Sequence, residues 1–269
     1  MSRGTSATCG LVLVALGALL FMGSLGWIRV DFWRVFFPLL LILLGTLTLW
    51  TVVNRSGAPE QVELQVPLET ARGARLRFRF GAGRLRIGAG AHADHLLELS
   101  ARGGARTSAK MDGDQKAVEV WVPTEFFGDV LAPWKWYGGE PPRWDGRLRG
   151  AVPLQLDFEI GACEAEVDLT DLLVREFRLA TGASSTLVRM PAAAGETRAR
   201  IAAGAASVKI VIPSGVAARV VTQTGLGEVK VDGRRFPRNG SIFESADYSS
   251  AKNKVDLSVE AGAASVEIS

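Results

Sequence analysis

Several small groups of residues in this sequence are of types that can do chemistry. Glu164 with Glu166, and Asp168 with Asp171, are neighbouring carboxylates of the kind that divide general acid and base work. His92, Asp94 and His95 are metal-ligand types packed into four positions. Cys9 and Cys163 are thiols, and residues 81–90, GAGRLRIGAG, superficially resemble a phosphate-binding glycine loop. None has the context its chemistry requires. A phosphate loop must open a helix whose N-terminus faces the anion, whereas Leu85 and Ile87 continue the alternation of a strand. A His-x-x-His pair in a strand or loop does not share one face, and no third or fourth ligand clusters nearby. No GxSxG, HExxH or Walker A motif occurs, and neither cysteine has a suitably placed histidine. The paired carboxylates fall on outward strand positions, where solvation accounts for them. The reading is a non-enzyme with no cofactor and no metal site.

What must position these residues is a pattern of glycines. Gly81, Gly161, Gly182, Gly204, Gly225 and Gly262 each have small or apolar residues one, three and five places before them and four and six places after. Around Gly161 these are Leu156, Phe158 and Ile160, then Ala165 and Val167; around Gly204, Ala199, Ile201 and Ala203, then Val208 and Ile210. Alternation marks a strand with one buried face. The change from odd to even offsets marks a corner between two short strands, where a residue without Cβ relieves crowding. Gly161, Gly182, Gly204 and Gly225 follow one another at intervals of 21, 22 and 21 residues. A near-constant period predicts a stacked-strand β-solenoid with repeats of about 21 residues. Between Gly225 and Gly262 lies a polar insertion over residues 232–253, expected as a loop.

Charge and hydropathy divide the 269 residues unequally. Residues 1–55 hold four Arg and one Asp, so the basic balance belongs to them; the remainder carries 27 basic and 27 acidic residues. A neutral soluble part lacks the massed basic face that nucleic acid requires. Residues 9–25 and 35–53 are free of charged side chains, and each approaches the ~20 residues that cross a bilayer as a helix. Between them GWIRVDFWR, with two Arg, one Asp and two Trp, suits a turn at the headgroups. The predicted organisation is a transmembrane helical hairpin over 1–54, a linker over 55–65, and a mainly β domain over 66–269. Arg3, the terminal amine and Arg55 lie on one side of the hairpin and Arg29 and Arg34 on the other, which leans towards a cytoplasmic domain. Cys9 and Cys163 read as two unpaired thiols.

Two stretches of the domain invite contact with something else. Arg75, Arg77, Arg79, Arg84 and Arg86 occupy the outward positions of one strand pair; they form a solvated face or, close to the bilayer, a surface for anionic headgroups. Residues 124–150 form an irregular, aromatic-rich loop with Phe126, Phe127, Trp134, Trp136, Tyr137 and Trp144. It is expected as a lid over one end of the core or as a contact for a partner or membrane. Residues 101–115, rich in Gly, Ser, Lys and Asp, are expected as a turn or loose loop. The last strand, with Val266 and Ile268, is expected to leave an uncapped C-terminal edge open to self-association.

The glycine-bearing apolar helix, the Trp-containing turn and the run WRVFFPLLLILLG over residues 33–45 resemble the paired-helix membrane module of LiaI/LiaF-type and PspC-associated bacterial envelope-stress proteins. The β-rich remainder is similar to the LiaF C-terminal, or toastrack, domain that accompanies that module, although LiaF itself has two helix pairs. The resemblance implies a two-pass protein of the bacterial inner (plasma) membrane that senses or regulates cell-envelope stress. It further implies contact with a membrane protein such as a histidine kinase. Two other functions fit the same residues: a self-assembling membrane-tethered scaffold, and an extracellular glycan-binding or glycan-cleaving module.

Overall fold

The computed structural model describes residues 61–122 and 141–269. The expected hairpin, and Trp134, Trp136 and Tyr137, lie outside the described residues. Described first are the strands Gln61–Pro67 (β1), Gly73–Ala89 (β2), His95–Arg102 (β3), Arg106–Asp112 (β4), Gln115–Trp121 (β5), Arg143–Leu148 (β6) and Leu154–Asp168 (β7). Then follow Val174–Thr181 (β8), Ser185–Arg189 (β9), Glu196–Ala203 (β10), Ser207–Val211 (β11), Ala217–Thr224 (β12) and Glu228–Val231 (β13). Arg238–Asn239 (β14), Ile242–Glu244 (β15), Lys254–Ala261 (β16) and Ser265–Ile268 (β17) complete the chain. Among the described residues there is no helix.

Pairing arranges these strands in two arms joined at the glycine corners. The arm before the glycines runs β4–β5–β2–β7–β8–β10–β16–β12–β15–β14. The arm after them runs β1–β3–β6–β2–β7–β9–β11–β17–β13. β2 and β7, the two long strands, pass through both arms. Parallel pairing in register sets like positions side by side: Phe78 on Phe158, Leu156 on Phe177, Val208 on Thr186 and on Val266. The residues that alternate in sequence therefore form continuous buried rows, including Leu76, Phe78, Leu156, Phe158, Phe177, Ile201, Val220 and Val259. The Phe78 and Phe158 rings stack with centroids 4.8 Å apart and planes 8° from parallel. At the corners, one layer's glycine lies against the backbone of the layer beneath. A Cβ on Gly161 would lie 2.3 Å from the carbonyl oxygen of Gly81, a distance no methyl group can occupy.

Sequence order and spatial order part company near the end. The Gly262 segment, last in sequence, lies between the Gly204 and Gly225 segments: β16 pairs with both β10 and β12, and β17 with both β11 and β13. The C-terminal strand is thus interior to the sheet and is not an edge. The residues between Gly225 and Gly262 explain this, because β14 and β15 form a small antiparallel hairpin that pairs with β12 and ends that arm.

Four stretches expected to lack regular structure contain strands, one of them the 232–253 insertion, expected as a loop, which holds β14 and β15. Residues 61–65, expected as linker, begin β1, whose Val62, Leu64 and Val66 turn inward while Gln61, Glu63 and Gln65 stay exposed. Residues 106–112 form β4, antiparallel to β5. It carries no apolar alternation because it is an edge strand wet on both faces, five of its last five positions being exposed. Within the aromatic-rich stretch, residues 143–148 form β6 with Trp144, Gly146 and Leu148 facing inward. A buried cation ties the β1–β2 turn to β5: Lys116 donates to the Pro67 carbonyl at 2.8 Å and lies 2.9 Å from the Glu69 carboxylate.

Candidate interaction surfaces

β2 presents its arginines to solvent, as expected, but β7 lies beside it in parallel register and presents acids. Arg77 pairs with Glu159 and lies 3.7 Å from Asp157; Arg79 lies 3.2 Å from Glu159 and 3.7 Å from Glu119. Arg84 lies 2.8 Å from Glu164 and Arg86 3.6 Å from Glu166, while Arg75 donates to the Gln155 side chain at 2.9 Å. Four of the five arginines are therefore one rail of a charge ladder, with Arg75 beside a neutral glutamine. The run does not form an uncompensated basic patch, so the attraction that would draw it to anionic headgroups is largely answered within the sheet. Sequence reasoning missed this because the acids are about 80 residues away, and only the parallel pairing of β2 with β7 brings them alongside.

The hydrogen bond from Arg77 is the main cause holding the Glu159 carboxyl below the usual carboxylate range. A group with a depressed folded pKa stabilises above its unfolded-state value of about 4.3 and loses that contribution as pH falls through the folded value. Both partners are well exposed, so Glu159→Gln is expected to cost under about 1 kcal/mol at pH 7. The deficit should shrink in 1 M salt, where screening acts over about 3 Å, and vanish in strong acid. Urea unfolding at two salt concentrations and two pH values measures it; a loss above about 2 kcal/mol that ignores salt would contradict this account.

The paired carboxylates face the same ladder. Glu166 is held by Arg189 at 2.8 Å, and Asp168 accepts hydrogen bonds from the Thr170 backbone and hydroxyl. Glu164, Glu166 and Asp168 each have a cationic or hydroxyl partner from the fold itself. Cys163 is free and buried, and desolvation raises its thiol to about 11, leaving almost no thiolate at neutral pH.

His92 and His95 do converge, contrary to the expectation that a His-x-x-His spacing would part them. Nδ1 of each lies 2.9 Å from Glu98 Oε1. Glu98 is the residue sequence reasoning overlooked, although its spacing of three from His95 was visible. The loop closes through the His92 carbonyl, which accepts the His95 N–H, and this carries His92 back over β3. The hydrogen bond from His95, followed by the backbone N–H of His92, holds the Glu98 carboxyl below its usual range. Among the described residues no three metal-ligating side chains are arranged to hold an ion.

Trp144 is not a surface contact. It is fully buried, its ring centroid 5.0 Å from that of Phe80, and its indole N–H donates to the Gly104 carbonyl at 3.2 Å. The alternation Trp144, Gly146, Leu148 between Arg143, Asp145 and Arg147 was the strand signal that could have separated it from the other aromatics. Arg77 and Arg79 do lie on the surface, their side chains about half exposed.

Along the corners runs a groove of about 1090 Å³, floored by the glycine column and by Ala180, Ala202 and Ala203. Arg79, Glu159, Trp121 and Pro142 also line it. A glycine at every layer leaves room for the groove.

The chain matches the family model described as the N-terminal domain of toast_rack, DUF2154, over residues 55–211. It matches the LiaI-LiaF-like transmembrane region over residues 7–49. No curated protein matches the chain. A crystal structure of a Clostridium sporogenes ATCC 15579 protein, described as a candidate for cell adhesion, superimposes with a TM-score of 0.70 at 18% identity. That likeness covers 78% of this chain and 98% of the other and establishes a shared fold.

Proposed function

We propose, since the chain belongs to the toast_rack family and carries a LiaI-LiaF-like membrane region, that it is a membrane-anchored, non-enzymatic regulator of cell-envelope stress that acts through protein contacts. The observation that carries this reading is the succession of the two family regions in one chain, the membrane region ending at residue 49 and the domain beginning at residue 55. So short a connection keeps the domain near the bilayer, where the partner is a membrane protein such as a histidine kinase. The domain's inward rows are consumed by the core, and the outward acids of β7 are matched by arginines. Recognition therefore falls to outer faces and loops. Regulation by contact needs no reaction: the domain holds its partner until a change in the membrane alters their relative geometry.

Two further features belong to the same proposal. The hairpin crosses the inner membrane twice, and the domain lies on the cytoplasmic side. A single cysteine placed at Arg234, in the exposed part of the 232–253 insertion, should resist membrane-impermeant maleimide in spheroplasts and react after permeabilisation. For the regulatory role, affinity capture of the full chain from detergent extract should recover a membrane partner, and deletion should change the response to cell-wall antibiotics. An empty capture together with an unchanged response would overturn it.

A further inference from the structure

The two ends of the strand stack are not flush, and their irregularities match. At the end bearing β13, the arm before the corners continues past β12 for two more strands, β15 and β14. The arm after the corners stops at β13, whose described partner is β17 alone. This leaves a notch two strands deep. At the opposite end the imbalance is reversed: beyond β2 the first arm adds β5 and β4, whereas the second adds β6, β3 and β1. There the second arm protrudes by one strand.

Among the described residues, none pairs with the backbone of β13 on the notch side. The Glu228 N–H donates to the Ala264 carbonyl and the Asp232 N–H to the Ile268 carbonyl, both at 2.9 Å. Even-numbered backbone groups therefore face β17, and those of Val229 and Val231 face away from it. The side chains of Val229 and Val231 are half-buried, so they cover the end of the core incompletely. Leu226, two residues before the strand, is 95% exposed. Short edge strands with lysine often discourage pairing, but Lys230 lies 3.2 Å from Glu228 of the same strand, which offsets its charge.

We propose that the β13 edge receives β1 of a second copy of this chain, head to tail. Direction agrees: β13 runs parallel to β17, β11, β9, β7, β2 and β6, and the two antiparallel pairings β6–β3 and β3–β1 return β1 to that same direction. The added pair therefore extends a parallel ladder. Chemistry agrees as well. Half-buried Val62 and Leu64 of β1 continue the row of Val229 and Val231, while exposed Glu63 falls on the face of Lys230. Height agrees to within one strand. From the β12–β13 layer of one copy to the β2 layer of the next there are four strand steps in the second arm and five in the first, a difference of about 4.8 Å. A two-fold pairing of β13 with itself would instead leave one step in one arm against five in the other, because both β14–β15 hairpins would meet. The contact is heterologous, so it builds open chains and not closed dimers. It is independent of the regulatory reading above.

The test uses the full chain in detergent micelles with Cys9→Ser and Cys163→Ala. One preparation carries Lys230→Cys and the other Glu63→Cys; each alone and the mixture are treated with a short bismaleimide. Crosslinked pairs are expected in the mixture and in neither preparation alone. Crosslinking of Lys230→Cys with itself, or none in the mixture, overturns the proposal. Adding Val229→Pro removes an N–H that β17 does not use, and Val229→Lys sets a charge at the seam without touching the backbone. Either variant that retains cooperative thermal unfolding should lower the mixed product at least about tenfold, near 1.4 kcal/mol. Undiminished product from a folded variant overturns the proposal equally.

Discussion

Replacing Trp144 by alanine is expected to cost the domain about 3–5 kcal/mol, the range for deleting a fully buried large aromatic. The ring has no exposed surface, lies 5.0 Å from Phe80 by centroid, and sits on β6 between β3 and β2. Its removal leaves a cavity in the layer that joins the β1–β3 strands to the long strand β2. It also strands the Gly104 carbonyl that accepts the indole N–H, a loss of about 1 kcal/mol. Trp144→Phe should thus retain most of the packing and pay chiefly that smaller cost. Denaturant unfolding of the two variants, with the midpoint and slope both fitted, separates core from surface. A contact residue would show the opposite pattern: unchanged stability for Trp144→Ala and weakened capture of a membrane partner.

The misplacement of Trp144 among candidate contacts shows where sequence pattern stops being informative. Trp134, Trp136 and Tyr137 precede it in the same irregular stretch, and grouping by residue type hides its alternation with Arg143, Asp145 and Arg147. The core rows of β7, β8, β10 and β16 were legible because each strand is covered on one face and wet on the other, so period-two hydropathy reports burial directly. β4 was illegible for the complementary reason: an edge strand wet on both faces has hydrogen bonds but no hydropathy contrast.

Stacking order was not legible at all. The segments around Gly204, Gly225 and Gly262 all offer small or β-branched inward residues, so any two can pack, and their spacing favours neighbours in sequence. The order is decided by the edge of β12, where Ile242, Phe243 and Glu244 pair with Val221, Val220 and Arg219. That hairpin claims one side of β12 and leaves the other for β16. The charge ladder was equally hidden, because Arg77 and Glu159 become neighbours only when β2 and β7 pair over their whole length. What sequence could supply about a site was mostly negative. Its positive candidates were surface residues whose partners the fold alone reveals.

Two glycines in the first corner should respond oppositely to alanine. Gly81, the one conspicuous in the repeat pattern, has no atom within 4 Å of a built Cβ and no positive φ, so Gly81→Ala is expected to change stability by no more than about 0.5 kcal/mol. Gly83, which the pattern passes over, has φ of +121° and would set its Cβ 2.0 Å from the Pro142 carbonyl oxygen. That carbonyl cannot easily retreat, since it accepts the Arg84 N–H at 2.8 Å and leads directly into β6. Backbone strain and overpacking each cost about 1–3 kcal/mol, so Gly83→Ala should destabilise by about 3 kcal/mol or more, and amide exchange should quicken first in β6. Equal behaviour of the two variants would mean that β6 does not start where Pro142 places it. The contrast follows from what each glycine is for: Gly81 accommodates the layer above through its carbonyl, which alanine keeps, whereas Gly83 accommodates a neighbour in the very space a side chain would fill.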